Sequence, residues 1–186
     1  MRRELSPPPG PQLAVAVQLH GLPHRAAHRG LQVCFDENNA LINALSALAT
    51  QLGARVCGRS PTALLLQGPA GASAEAAFPL AGALLALGQS WRKERDAAHI
   101  GLGMGWGPAI EGQATAGQAT AALFGVEVER AQALAGHLNR GGEWLASVGE
   151  DSGFARPPAG FGAFAARADR CAAAGFPFLV LSDHRG

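Results

Sequence analysis

The chain contains no tyrosine, and aromatic residues together make up only 6% of its 186 positions. A protein that grips single-stranded nucleic acid needs aromatic faces for bases to stack on and a cationic groove for the backbone. Charge is scarce as well: charged residues are 16% and the formal net charge is +1. Nothing in that balance draws the chain to a polyanion or to an acidic partner, so no nucleic-acid partner is expected. Cysteine is represented only by Cys34, Cys57 and Cys171, with no C-x-x-C. An odd, widely spaced set argues against a disulfide framework and fits a reducing, cytoplasmic setting. Long apolar runs are missing too. The longest, Leu80 to Leu87, contains Gly82 and falls far short of the ~20 residues that cross a bilayer. The start, MRRELSPPPGPQ, lacks the apolar stretch of a signal peptide. No membrane association is expected.

Two common phosphate loops are also absent. Residues 99–112, HIGLGMGWGPAIEG, are rich in glycine. A dinucleotide fingerprint starting at Gly101 would need glycine at Trp106, and one starting at Gly103 would need it at Pro108. No Gly-Lys-Ser/Thr occurs. Taken alone, the stretch reads as turn punctuation between a strand and a helix. Small residues of this kind also let a strand pass close to a neighbour.

Hydrophobic residues make up 48% of the chain, enough for one sizeable core. Residues 1–12 form a Pro-rich, disordered tail, and residues 13–186 a single domain. Residues 13–22 read as a buried strand. FDENNALINALSALATQLG reads as a helix capped by Asp36, with Leu41, Leu45, Leu48 and Leu52 on one stripe and Gly53 at its stop. ARVCGRSPTALLLQG reads as a hairpin turning at Arg59-Ser60-Pro61. Leu80, Leu84, Leu87 and Trp91 mark a second helix. Val128, Ala131, Leu134 and Leu138 mark a third, stopped by Gly141-Gly142. Residues 143–148 and 176–183 read as strands, and ARPPAGFGAFAARADR between them as loop or irregular helix. The expected class is α+β: a ferredoxin-like βαββαβ core sheet with helices on one face.

The order of these elements meets two motifs in register. Gly103, Gly107, Pro108 and Gly112 fit a G-I-x-x-G-P-hydrophobic-hydrophobic-x-G segment. Phe124, Gly125, Val128, Ala131 and Leu134 fit F/W-G-x-x-V-N-x-A-x-R-L. Together they resemble the C-terminal half of a class III nucleotide cyclase domain, and the likeness extends more weakly over residues 13–150. Residues 150–175 match nothing in the family pattern.

The resemblance implies a catalytic machinery whose metal ligands and transition-state residues this chain lacks. The family's first metal-binding aspartate falls at Gln18, in QLHG. The second, after the hairpin Gly58, falls at Arg59, a cation where a metal ion would sit. The family's transition-state Asn and Arg fall at Glu129 and Ala133. The base-selecting Lys falls at Arg55, a partial match, and its partner at Ala122, which has no hydrogen bond to offer. The implied reading is a catalytically inactive cyclase-like domain with no metal cofactor, acting as a regulatory or dimerisation module. A homodimer, or a heterodimer with another cyclase-like domain, is the implied assembly. Gly21, Arg25, Arg55, Gly58 and Arg59 are the candidates for holding a nucleotide or other anion directly, with Arg29 beside them. The alternative is a divergent adenylate or guanylate cyclase that uses Glu127 and Glu129 with Mg²⁺ or Mn²⁺. A third reading is an unrelated ferredoxin-like fold with a chance motif match. His20, His24 and His28, spaced by four, read as a solvated helix start, with His24 and His28 on one face. Ser60 has no visible base, and Cys57 reads as a core residue.

Overall fold

In a computed structural model, residues 10–95, 97–113, 121–137, 143–147 and 153–183 are described. The central strand β1 (Pro11–His20) is buried on both faces, as expected of a strand in mid-sheet. Leu13, Val15, Val17 and Leu19 point to one side, and Ala14 and Ala16 to the other. β1 pairs antiparallel with β3 (Ala63–Gln67) on one flank and β4 (His99–Pro108) on the other. β2 (Arg55–Arg59) closes the hairpin with β3 and carries a bulge between Val56 and Gly58. β5 (Ile110–Gln113) and β6 (Ala121–Phe124) form a separate two-stranded hairpin. β7 (Glu143–Ser147) runs parallel to β4, and β8 (Phe161–Ala165) and β9 (Phe178–Asp183) complete a seven-stranded sheet of order β2-β3-β1-β4-β7-β9-β8.

The two helices of the βαββαβ core, α2 (Leu31–Gln51) and α3 (Ala77–Arg95), lie on one face. Leu41, Ile42, Leu45, Phe78 and Leu84 pack there against Val15, Val17, Leu102 and Met104. Each of these side chains, taken out of water, contributes ~1.5–3 kcal/mol. The α+β, cyclase-like class stands. One detail differs: α4 (Val126–Ala135) covers the opposite face, over Ala14 and Ala16.

The glycine-rich stretch explains how α4 lies there. It is strand and not turn, and Gly101, Gly103, Gly105 and Gly107 alternate along β4 on the α4 side. A Cβ at Gly101 would sit 2.1 Å from the Ala135 carbonyl oxygen, at Gly103 2.1 Å from that of Ala131, and at Gly105 2.1 Å from that of Glu127. Those carbonyls are four residues apart, about 6 Å along a helix, and alternate strand residues are about 6.7 Å apart. The two repeats keep step, so helix backbone rests on strand backbone for over two turns.

Several local expectations are corrected. Pro11 and Gln12 belong to β1 and not to a tail; residues 1–9 lie outside the described ones. Asp36 is not a cap but an interior residue of α2, where it accepts a hydrogen bond from Gln32 Nε2 at 3.0 Å. The break lies earlier, at Gly30, whose φ of +87° ends a preceding helix α1 (Leu22–Arg29) before α2 begins. Gly53, at φ +81°, follows the end of α2 as expected. α4 stops at Ala135, ahead of Leu138, Gly141 and Gly142, which lie outside the described residues. The stretch read as loop or irregular helix contains β8, and α5 (Ala168–Ala174) begins at its end. Among the described residues no helix is long and apolar enough to cross a membrane.

Candidate functional site

On the α4 face, the end of β1, the β2–β3 hairpin and the last turn of α4 border a half-open cavity of about 250 Å³. The sheet side brings Ala16, Gln18, Gly58, Arg59, Ser60 and Leu65, and the helix brings Gln132 and Ala135. The space exists because alanine stands where larger side chains would fill it, at Ala16, Ala63 and Ala135. Three residues singled out in the sequence meet here: Gln18, Gly58 and Arg59. Gln18 sits across from Ala63 in the sheet, and Arg59 across from Leu64, so β3 alone separates their strands. Ser60 donates its backbone N–H to Ala63 at 2.8 Å, and its hydroxyl accepts from the Thr62 N–H at 3.3 Å, which fixes the turn. Among the described residues lining the cavity there is no aspartate or glutamate. Gln18 offers one neutral amide oxygen and Arg59 a cation. That donor set does not fit a divalent ion, which takes carboxylates or imidazoles.

The other candidates fall elsewhere. Arg25 is buried beside α2, where it donates to Glu37 at 2.6 Å and to Asn38 Oδ1 at 3.1 Å. Arg29 donates to the other oxygen of Glu37 at 2.5 Å. One carboxylate thus holds both arginines and ties α1 to α2. Gly21, at φ +89°, caps α1 where β1 ends. Glu129 and Ala133 are exposed on α4, and neither lines the cavity. Glu127 is buried instead; it accepts from the Ser147 hydroxyl and from Arg130 Nη1 at 2.7 Å. Its carboxylate therefore anchors α4 to β7. His24 and His28 are exposed with ring centroids 4.8 Å apart, whereas His20 Nε2 lies 2.9 Å from the Ala135 carbonyl at the end of α4.

Arg55 has a partner that sequence reading missed. It forms an ion pair with Glu111 of β5 at 2.7 Å and donates to Gln67 Oε1. Gln67 is buried and donates to Glu111 at 2.7 Å and Gln12 at 2.9 Å. The hydrogen bond from Arg55, then that from Gln67, holds the Glu111 carboxyl below the usual carboxylate range. The same contact raises the Arg55 guanidinium further. Cys57 is buried beside this network, as expected of a core residue, and burial pushes its thiol up. Glu111 stands 56 positions from Arg55, and only the folding of the β5–β6 hairpin over β2 joins them. Ser60, Gln132 and Ala135 were missed as cavity residues for the same reason: they carry no motif.

No family model matches the chain. No curated protein sequence matches it. Solved structures do. The catalytic core of a rhodopsin-guanylyl cyclase with converted specificity, in complex with ATPαS, superposes with a TM-score of 0.77 at 15% identity, over 95% of this chain and 97% of that one. A dimeric guanylyl cyclase domain of the RhoGC fusion protein from the aquatic fungus Blastocladiella emersonii gives 0.74 at 15%, over 94% of each chain. The adenylyl cyclase CyaB from P. aeruginosa gives 0.68 at 18%, over 94% of this chain and 93% of that one. The chain has the class III cyclase fold, which overturns the reading of an unrelated fold with a chance motif match.

Proposed function

We propose that this cyclase-fold domain is catalytically inactive and serves as a regulatory or dimerisation module that binds its ligand without metal. One observation carries the proposal. Gln18 and Arg59, which the motif resemblance sets at the family's metal-binding aspartates, line one cavity between the β2–β3 hairpin and α4. Two-metal chemistry activates a hydroxyl and neutralises phosphate charge through carboxylate-held ions. An amide and a guanidinium cannot hold such ions, although they can hold an anion. The substitutes that an active enzyme would call on are poorly placed: Glu127 is engaged with Ser147 and Arg130. Glu129 is free of the cavity on the outer side of α4.

The outer side of α4 fits a second role. Glu129 and Ala133 are exposed there, and Ile110, Phe124 and Val126 are 58–63% exposed on the adjoining hairpin and helix start. Apolar surface of that kind suits contact with a second cyclase-fold domain. The test is direct. Purified protein is incubated with ATP or GTP and Mg²⁺ or Mn²⁺, and cyclic nucleotide is quantified. None above the no-enzyme control is expected. Metal-dependent formation of cyclic AMP or cyclic GMP would overturn the inactive reading in favour of a divergent cyclase.

A further inference from the structure

We infer that the cavity beneath α4 is a site for a small phosphate-type anion, inorganic phosphate or a phosphomonoester group, and not for a whole nucleoside triphosphate. The inference rests on the metal-free reading of the cavity above and goes on to name its ligand class. Size is the first argument. At about 250 Å³ the cavity lies below the ~300–1,000 Å³ of sites that enclose drug-sized ligands.

Charge is the second. Arg25 and Arg29 are held by Glu37, Arg55 by Glu111 and Arg130 by Glu127. The Arg59 side chain makes no ion pair or hydrogen bond with any described residue, although it lines the cavity. An arginine left without a carboxylate beside a cavity free of acidic side chains, among the described residues, is suited to a planar, bidentate grip on phosphate. Gln18, Ser60 and Gln132 line the same space, and each has a donor to offer.

The third argument concerns what a longer ligand would need. Arg55 and Gln67, the residues beside the β2–β3 hairpin that could read a heterocycle, do not line the cavity and already hold Glu111 and Gln12. Gln67 could engage a base only by giving up its buried hydrogen bonds, which opposes binding. An anion at Arg59 requires neither.

The test is calorimetric titration and thermal unfolding with inorganic phosphate, glycerol 3-phosphate and ATP, each with and without Mg²⁺, at matched ionic strength. The expected result is saturable stabilisation by phosphate and by the phosphomonoester without Mg²⁺, with ATP binding no tighter than phosphate. Arg59→Ala is expected to weaken phosphate about 10- to 100-fold, the usual worth of a charge-assisted hydrogen bond. Gln18→Glu, nearly isosteric, is expected to weaken it similarly by placing a carboxylate in the cavity. Chloride at the same ionic strength serves as the blank. Absence of any phosphate effect, or an effect unchanged in both variants, would overturn the anion site and leave the inactive reading standing. Tight ATP binding that requires Mg²⁺ would overturn both.

Discussion

Arg55 illustrates how one residue's meaning changes with its neighbours. By position it resembles a base-reading cation. In the folded chain it is half of an ion pair with Glu111, backed by the buried Gln67. Both charged side chains are nearly half exposed, at 48% and 45%, so solvent screens the pair. Such a pair is worth about 0.5 kcal/mol. Because the folded state lowers the Glu111 pKa, its contribution is present above the unfolded carboxyl value of about 4.3 and is lost as pH falls through the lower folded value. Glu111→Gln is therefore expected to be less stable than wild type by about 0.5 kcal/mol at pH 7. Urea unfolding at pH 7 and again at about pH 3 checks this. The gap is expected to narrow at the lower pH, and an undiminished gap there would assign it to packing and not to charge.

At the scale of elements, the decisive contact is α4 on β4. Gly101, Gly103 and Gly105 leave no room for a side chain, because helix carbonyl oxygens occupy the space. Gly103→Ala must push α4 away from the sheet, at a cost of about 1–3 kcal/mol or more. For a chain of this length the melting temperature is expected to fall by about 2–4 °C per kcal/mol. Gly112→Ala is the control. Its Cβ would meet the Phe124 ring at an ordinary 3.7 Å, so differential scanning calorimetry should place it close to wild type. Equal losses in the two variants would mean that the close approach of α4 is not what requires glycine at Gly103, since losing backbone entropy in the unfolded chain would by itself stabilise both variants. The motif that resembles the cyclase family is thus, in this chain, first a packing device. It brings Gln132 and Ala135 down to the rim of the cavity.

At the scale of the whole molecule, the proposal of a dimer makes its own claim. Light scattering after gel filtration is expected to show a dimer. Phe124→Ser with Val126→Glu is expected to shift it to monomer, since both positions are exposed and apolar and neither supports the core. Unchanged mass in the variant would move the interface elsewhere. Much of this architecture was legible in the sequence. The strand read at residues 13–22, which in the structure ends at His20 with Leu22 already in α1, the hairpin at Arg59-Ser60-Pro61 and the stripes of α2 and α3 follow from apolar spacing and turn residues. Other features were not. Asp36 looks like a cap because Asp often is one, yet Gly30 breaks the chain earlier through its positive φ. β8 was obscured by the glycine and alanine of FGAFA, which have weak strand preference and join the sheet by pairing with β9.

Sequence alone pointed to the class of fold and supplied the motif resemblance that sets Gln18, Arg59, Glu129 and Ala133 against the cyclase pattern. Those are matters of residue type and local spacing. Tertiary structure decided which face α4 covers, that Gln18 and Arg59 share a cavity while Arg25 and Arg55 do not line it, and which arginines already hold a carboxylate. The physical reason is range. Propensity and periodicity act over a few neighbouring residues, but ion pairs and close backbone contacts join residues 50 or more positions apart, such as Arg55 with Glu111 and His20 with Ala135.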